Sequence, residues 1–124
     1  MRKKRPINLY LPSISFPIPA IVSILHRLSG VLLFVCIPFL LWAFHLSLAT
    51  PEGFHQAEHF FTIFWVKGII WFSLVGLMGH TIAGIRHLLM DIGIGESRMA
   101  GRISAWIVVG LSVVLAVFAG IWLW

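Results

Sequence analysis

The sequence predicts an all-α integral membrane protein with three transmembrane helices and its amino terminus on the inner side. Of its 124 residues, 60% are hydrophobic and 10% are charged, and the mean hydropathy is +1.00. A soluble domain of this length could not bury so much apolar surface, whereas three spans of about 20 residues each would place it in lipid. We therefore expect a single membrane-anchor domain over residues 1–124.

The amino-terminal segment, residues 1–19, is predicted to lie on the cytoplasmic side or in the membrane interface. Positions 2–5 are all basic, and four prolines follow within the segment, a spacing that prevents a continuous helix. A basic start before an apolar run resembles a signal peptide. The proline-rich spacer and the length of the run that follows indicate instead that the segment is retained.

Three long apolar runs predict spans at about residues 20–48, 62–90 and 103–124. Pro38 is expected to kink the first of them, because proline lacks a backbone donor and clashes with the preceding turn. Residues 91–102 form the second, short connection.

The first connection, residues 50–61, is predicted to be a turn followed by a short polar loop. Its side chains His55, Glu58 and His59 have spacings that could bind a surface metal ion. Three loosely placed groups on a loop are weak support for a metal site, so we interpret the segment as a solvated connection.

The basic residues are distributed unevenly between the two sides of the membrane. Lys67 lies on the side of the first connection, and the other eight of the nine lysines and arginines lie on the opposite side. Positive residues favour the cytoplasmic side, so the amino terminus is predicted inside and the carboxyl terminus outside. The eight residues are Arg2, Lys3, Lys4, Arg5, Arg27, Arg86, Arg98 and Arg102.

The second span carries a stripe that suggests function. At about 100° per residue, one face of the helix holds His80, Gly84, His87 and Asp91, with Gly76 a turn earlier. An imidazole inside a span needs partners that lipid cannot supply. A haem iron is one such partner, because glycines beside His80 would let a flat macrocycle approach the helix. A hydrogen-bonded packing histidine at a contact between small residues is the alternative.

A haem with two axial histidines needs a second ligand at the same depth as His80. His45 lies near the opposite end of the first span, too far away at about 1.5 Å per residue. His26 and His87 are predicted to lie at the inner edge of the membrane. No second ligand in the chain is well placed, so we expect any haem to be shared with another chain.

The first turns of the first span also carry polar residues. Ser23, Arg27 and Gly30 lie at i, i+4 and i+7, with His26 adjacent. His26 and Arg27 could simply extend to the lipid headgroups, as charged side chains near helix ends do. That explanation does not account for a serine and a glycine on the same stripe, so an interfacial anchor and a functional site both remain open.

Two motifs together carry a resemblance to a known family. The run Ser23-Ile-Leu-His-Arg-Leu-Ser-Gly30, the run His80-x-x-x-Gly-Ile-Arg-His-Leu-x-x-Asp91 and the start Arg5-Pro6-x-Asn8 resemble the cytochrome b subunit of succinate dehydrogenase, one of two membrane anchors of respiratory complex II. The resemblance covers essentially the whole chain, and its third span is the least specific part.

The resemblance implies that His80 is an axial ligand of haem b and that the other axial histidine comes from the second anchor subunit. It implies that Ser23 and Arg27 line a ubiquinone site, and that His26 and Arg27 lie near the haem propionates, with His87 close to the haem. A cation and a donor suit carboxylates at a membrane edge. Flavoprotein and iron–sulfur subunits would deliver electrons from succinate, so the chain would not catalyse by itself.

The resemblance also implies a location in a bacterial cytoplasmic (inner) membrane, or in the mitochondrial inner membrane, with no nucleic-acid partner. Two other classes of protein fit the spans. A haem-free anchor or assembly protein would have the same topology. A small proton or solute carrier would place polar groups through the full membrane depth, whereas here they cluster toward one side.

Overall fold

The computed structural model describes Tyr10 and residues 14–124, and every regular element in that part of the chain is an α-helix. The prediction for most of the amino-terminal segment falls outside these residues. The helices are α1 (Ile18–Ala49), α2 (Pro51–Thr62), α3 (Phe64–Asp91) and α4 (Arg98–Leu123).

Three of the four helices are long and apolar enough to cross a membrane, which confirms the predicted all-α class with three spans, whereas the orientation of the amino terminus stays a prediction. Helices α1, α3 and α4 have 32, 28 and 26 residues, and about 20 residues suffice for the hydrocarbon core. Helix α4 begins at Arg98 rather than at residue 103. Arg98 and Arg102 therefore belong to its first turns and not to a loop. Helix α1 continues through Pro38, and the kink there stays a prediction.

The first connection is a helix, so the prediction of a turn and polar loop over residues 50–61 is wrong. The hydroxyl of Thr50 accepts a hydrogen bond from the Gly53 amide at 2.9 Å, which caps the start of α2. The ring of Phe60 packs near Phe39 and Trp42 of α1, with centroids 5.8 and 6.3 Å away. The cap at Thr50 and the contacts of Phe60 with α1 explain why this segment forms a helix that packs on α1.

The histidine and glutamate side chains of α2 are exposed. The Nδ1 atom of His55 lies 3.3 Å from a carboxylate oxygen of Glu58, and both side chains are exposed. Among the described residues there is no cluster of three side chains that could hold a metal ion. The interpretation of this segment as solvent-facing therefore stands, although its backbone is helical.

Helix α3 lies in the middle of the bundle and packs against both α1 and α4. The core between them consists of small side chains: Val22, Ala83, Ala105 and Val108. Small residues let helix backbones approach closely, which is how helices associate in lipid, where burying large apolar side chains brings no gain. Most of the large apolar side chains accordingly face outward.

Three donors of α3 hold α4 in place. The Arg86 guanidinium donates to the Ser104 hydroxyl at 2.9 Å and to the Gly101 carbonyl at 3.0 Å. Farther along the same contact, the Trp71 indole and the Lys67 ammonium donate to backbone carbonyls of α4 at 2.9 and 3.1 Å. Arg86 is thereby buried, with 6% of its surface exposed, and all four bonds lie within the chain.

Candidate functional site

An apolar cleft of about 440 Å³ lies along α1, α3 and α4. Aliphatic side chains and glycines form most of its lining. Its polar lining residues are His26 and Ser29 from α1, His80 from α3 and Ser112 from α4. The cleft thus brings two of the predicted site residues together, in a volume within the range of about 300–1,000 Å³ that is common for ligand sites.

The imidazole of His80 is held in one orientation by α1. Its Nδ1 atom lies 3.0 Å from the backbone carbonyl oxygen of His26 and 3.0 Å from the hydroxyl oxygen of Ser29. A carbonyl can only accept, so Nδ1 carries the hydrogen, and the Ser29 hydroxyl donates to the same carbonyl at 2.8 Å. In the neutral ring the lone pair then resides on Nε2, the nitrogen left available for a ligand bond.

Glycines allow α1 and α3 to approach each other at this level. A Cβ atom added at Gly30 would lie 3.1 Å from Cε1 of His80, and one at Gly84 would lie 3.3 Å from Nε2 of His26. Gly76 lines the cleft, whereas Gly84 is occupied by the contact with His26. An added Cβ atom would meet α1 at both glycines, with Leu32 3.0 Å from the position at Gly76 and His26 3.3 Å from that at Gly84, so α1 occupies the space that the prediction left to a groove.

His26 lies directly beside His80, so the prediction that the two differ in depth is wrong. Their rings are stacked, with centroids 4.1 Å apart and planes inclined by 15°. The ring of His87 lies 5.1 Å from that of His26. The sequence gives positions along each helix but not the register between helices, which the small residues at the contact set. Two rings stacked face to face cannot point their nitrogens at one ion from opposite sides, so His26 is not a second axial ligand in this arrangement.

The structure does not bring Ser23 and Arg27 into this cleft. They lie one turn apart on α1, where Ser23 is half-buried and Arg27 is exposed, and neither lines the cleft. In the described part of the chain, Arg27 makes no ion pair. The predicted polar stripe is therefore present on α1, but it divides into two parts. Ser23 and Arg27 lie outside the cleft, whereas His26 and Ser29 contact His80.

Sequence reasoning did not assign roles to Ser29 or Ser112 in the cleft. The spacing offered one usable signal, because Ser29 lies three residues after His26 on the same helical face. Ser112 has no such signal, since its place opposite Gly79 depends on how α4 packs on α3.

A helical bundle with outward apolar side chains and an apolar cleft beside one oriented imidazole defines a class: a polytopic membrane protein with a candidate ligand site between its spanning helices. The family model described as Succinate dehydrogenase/Fumarate reductase transmembrane subunit matches residues 1–119. The chain belongs to this family. It is a multi-pass membrane anchor subunit of succinate dehydrogenase in the inner membrane, where it associates with other subunits of complex II.

Individual relatives agree with this assignment. The succinate dehydrogenase cytochrome b556 subunit of Coxiella burnetii is 43% identical, with 100% of each chain covered. The protein of the same name in Paracoccus denitrificans is 33% identical over 94% of this chain and 89% of its own. The succinate dehydrogenase cytochrome b560 subunit of Marchantia polymorpha is 28% identical over 75% of this chain and 72% of its own.

Proposed function

We propose that this chain binds haem b, with Nε2 of His80 as one axial ligand and a histidine of a second membrane subunit as the other. The observation that carries the proposal is the fixed imidazole of His80, whose Nδ1–H is held by the His26 carbonyl and the Ser29 hydroxyl. Ligating histidines usually donate their other N–H to an acceptor of this kind, because it orients the ring and raises its basicity.

The surroundings of His80 fit a haem. The cleft is apolar, as the macrocycle requires, and it opens toward the outside of this chain, where another subunit can complete it. Bound haem would supply a one-electron redox centre. The relatives named cytochrome b556 and cytochrome b560 support this assignment.

Three further cations or donors belong to the proposed cofactor site. His26 packs on His80, and His87 packs on His26. Arg27 follows His26 in the sequence. We assign His26, Arg27 and His87 to the edge of the cofactor, where imidazole N–H groups and a guanidinium would bind its carboxylates by charge-assisted hydrogen bonds.

Spectra of the purified complex test the haem proposal. His80→Ala is expected to remove the haem b absorbance, because no other described side chain offers an oriented lone pair to the cleft. His45→Ala is the matched control, since His45 is exposed near the far end of α1. His87→Ala is expected to do less. A full haem content in His80→Ala would refute the assignment, and no haem in the parent complex would make the chain a haem-free anchor.

We also propose that Ser23 and Arg27 help to form a ubiquinone site. A quinone has two carbonyl oxygens on an apolar ring, so its site needs an apolar surface with one or two fixed donors. Ser23 offers a hydroxyl and Arg27 a permanent charge, one turn apart on α1. A guanidinium would stabilise the negative charge that the oxygens gain during reduction.

Two assays on Ser23→Ala and Arg27→Leu complexes test the quinone site. Electron transfer from succinate to quinone is expected to fall by roughly a hundredfold, the usual cost of losing one such donor. Transfer from succinate to an artificial acceptor that reacts with the soluble subunits should persist. Wild-type quinone reduction in both variants would show that the pair is an interfacial anchor.

The assembled arrangement that we propose has the amino terminus inside, the carboxyl terminus outside, and the flavoprotein and iron–sulfur subunits on the inner side. It rests on the positive charges, eight of nine of which lie on one side of the predicted spans. A reporter that functions only in the cytoplasm, fused after Trp124, is expected to be inactive. Activity of that fusion would reverse the topology.

A further inference from the structure

The first turns of α4 form an exposed surface that neither the haem site nor the quinone site uses. The surface is lined by Arg98, Met99, Arg102, Ile103 and Trp106, all from α4. All of these side chains are exposed, with 76% of Met99, 53% of Ile103 and 56% of Trp106 accessible. Two cations and three large apolar groups thus share one surface at the end of a spanning helix.

The two guanidiniums of this surface have no partner among the described residues. Within the described part of the chain, neither Arg98 nor Arg102 makes a hydrogen bond or an ion pair with a protein group. The nearest acidic residue in the sequence, Glu96, also makes no ion pair there. Arg86 differs from them, because its guanidinium donates to two acceptors of α4, the Ser104 hydroxyl and the Gly101 carbonyl.

Below the arginines the surface continues as an apolar stripe with a notch. Arg98, Arg102, Trp106 and Gly110 are spaced four residues apart, so they follow one another along a face of α4. A Cβ atom added at Gly110 would meet nothing within 4 Å. Farther along, large apolar side chains such as Val113 and Val117 are again exposed.

We propose that this surface binds one anionic phospholipid, with its phosphate at Arg98 and Arg102 and an acyl chain along the notch at Gly110. The two guanidiniums match a phosphate in charge and geometry. Trp106 suits the boundary between headgroup and acyl chain. An acidic protein surface would not match the apolar stripe that follows directly, so a lipid is the occupant that uses the whole surface.

Lipid binding by the purified complex tests the proposal. The complex, freed of lipid in detergent, is titrated with phosphatidylglycerol or with phosphatidylcholine of the same acyl chains, and bound lipids are counted by native mass spectrometry. Phosphatidylglycerol is expected to bind more tightly. The double variant Arg98→Gln/Arg102→Gln should weaken it by about thirtyfold, about 2 kcal/mol at roughly 1 kcal/mol for each basic residue.

Two further variants separate a specific site from general charge attraction. Lys3→Gln/Lys4→Gln removes the same number of positive charges from the amino-terminal segment and should leave tight binding unchanged. Gly110→Leu keeps both arginines but fills the notch, and it should weaken phosphatidylglycerol binding. Equal weakening in the lysine variant, or unchanged binding in the arginine variant, would overturn the proposal.

The same preparation distinguishes a lipid site from a protein-docking surface. The arginine variant is expected to retain the soluble subunits and its haem absorbance, because neither residue lines the cleft of His80. Loss of the soluble subunits from this variant would assign the surface to a protein partner and overturn lipid binding. The experiment does not depend on the haem proposal, since lipid counts and haem spectra are measured separately.

Discussion

The two faces of α3 differ in how their polar groups are satisfied. On the face toward α4, Arg86, Trp71 and Lys67 all donate to acceptors within the chain. On the face toward α1, the ring of His80 uses one nitrogen within the chain and turns toward an apolar cleft. Because lipid supplies no hydrogen bonds, a closed face serves stability and an open face requires a ligand or another subunit.

The comparison explains why two ionisable residues of one helix have different roles. Arg86 and His80 are both ionisable residues of a predicted span, but only His80 lies on the stripe that the sequence singles out. The buried guanidinium is a structural clamp, since its donors end on Ser104 and Gly101. What distinguishes the histidine is an orientation that leaves Nε2 for a group from outside the chain.

The largest effect is expected from closing the open face. A Cβ atom at position 30 would lie 3.1 Å from Cε1 of His80, and the branched side chain of Gly30→Val needs more room than that. The imidazole must therefore move, and bound haem should be lost. Gly68→Val is the matched control, because nothing lies within 4 Å of its Cβ position. Haem absorbance per complex is the measurement. Full haem content in Gly30→Val would show that the packing of His80 on α1 is not required.

The next largest effect is expected on stability, at the face of α3 that packs on α4. Arg86→Leu removes both hydrogen bonds to α4 and should lower the stability of the complex by about 2 kcal/mol, measured by thermal unfolding. Arg27→Leu, at an exposed position, should leave that stability unchanged. Equal unfolding temperatures for the Arg86 variant and the parent complex would mean that the clamp contributes nothing.

A smaller effect is expected from loosening His80 without blocking it. Ser29→Ala removes one of the two acceptors near Nδ1 and leaves the His26 carbonyl in place. Haem affinity should fall by about tenfold, the lower end of effects from groups that orient metal ligands. Haem transfer to an apoprotein acceptor measures it, with Ser47→Ala, an intrahelical serine at the other end of α1, as control. Unchanged haem transfer would mean that the His26 carbonyl alone orients the ring of His80.

The smallest effect is expected at the far end of the closed face. Trp71→Phe keeps an aromatic ring but removes the hydrogen bond to the Ala116 carbonyl, at a cost of about 0.6–1 kcal/mol. Thermal unfolding should shift slightly and the haem spectrum should stay the same. A change in the spectrum without a change in stability would contradict the separation of the two faces.

The sequence by itself determined the class and the three spans, and it singled out His80 as a candidate. Apolar runs of sufficient length predict spanning helices without any tertiary information, since lipid forces backbone groups to pair within each helix. The two motifs around Ser23 and His80 likewise indicate the family from sequence alone. The helix α2 was missed, because its aromatic side depends on contacts with Phe39 and Trp42 of another helix.

The tertiary structure decided which polar groups meet. The stacking of His26 on His80, the acceptors at Nδ1 and the engagement of Arg86 by α4 all depend on the rotation and register of one helix against another. Spacing along a helix fixes the face of each residue, but not the depth at which two helices cross. That depth follows from the closest packing of small residues such as Gly30 and Ala83, a property of the pair and not of either segment.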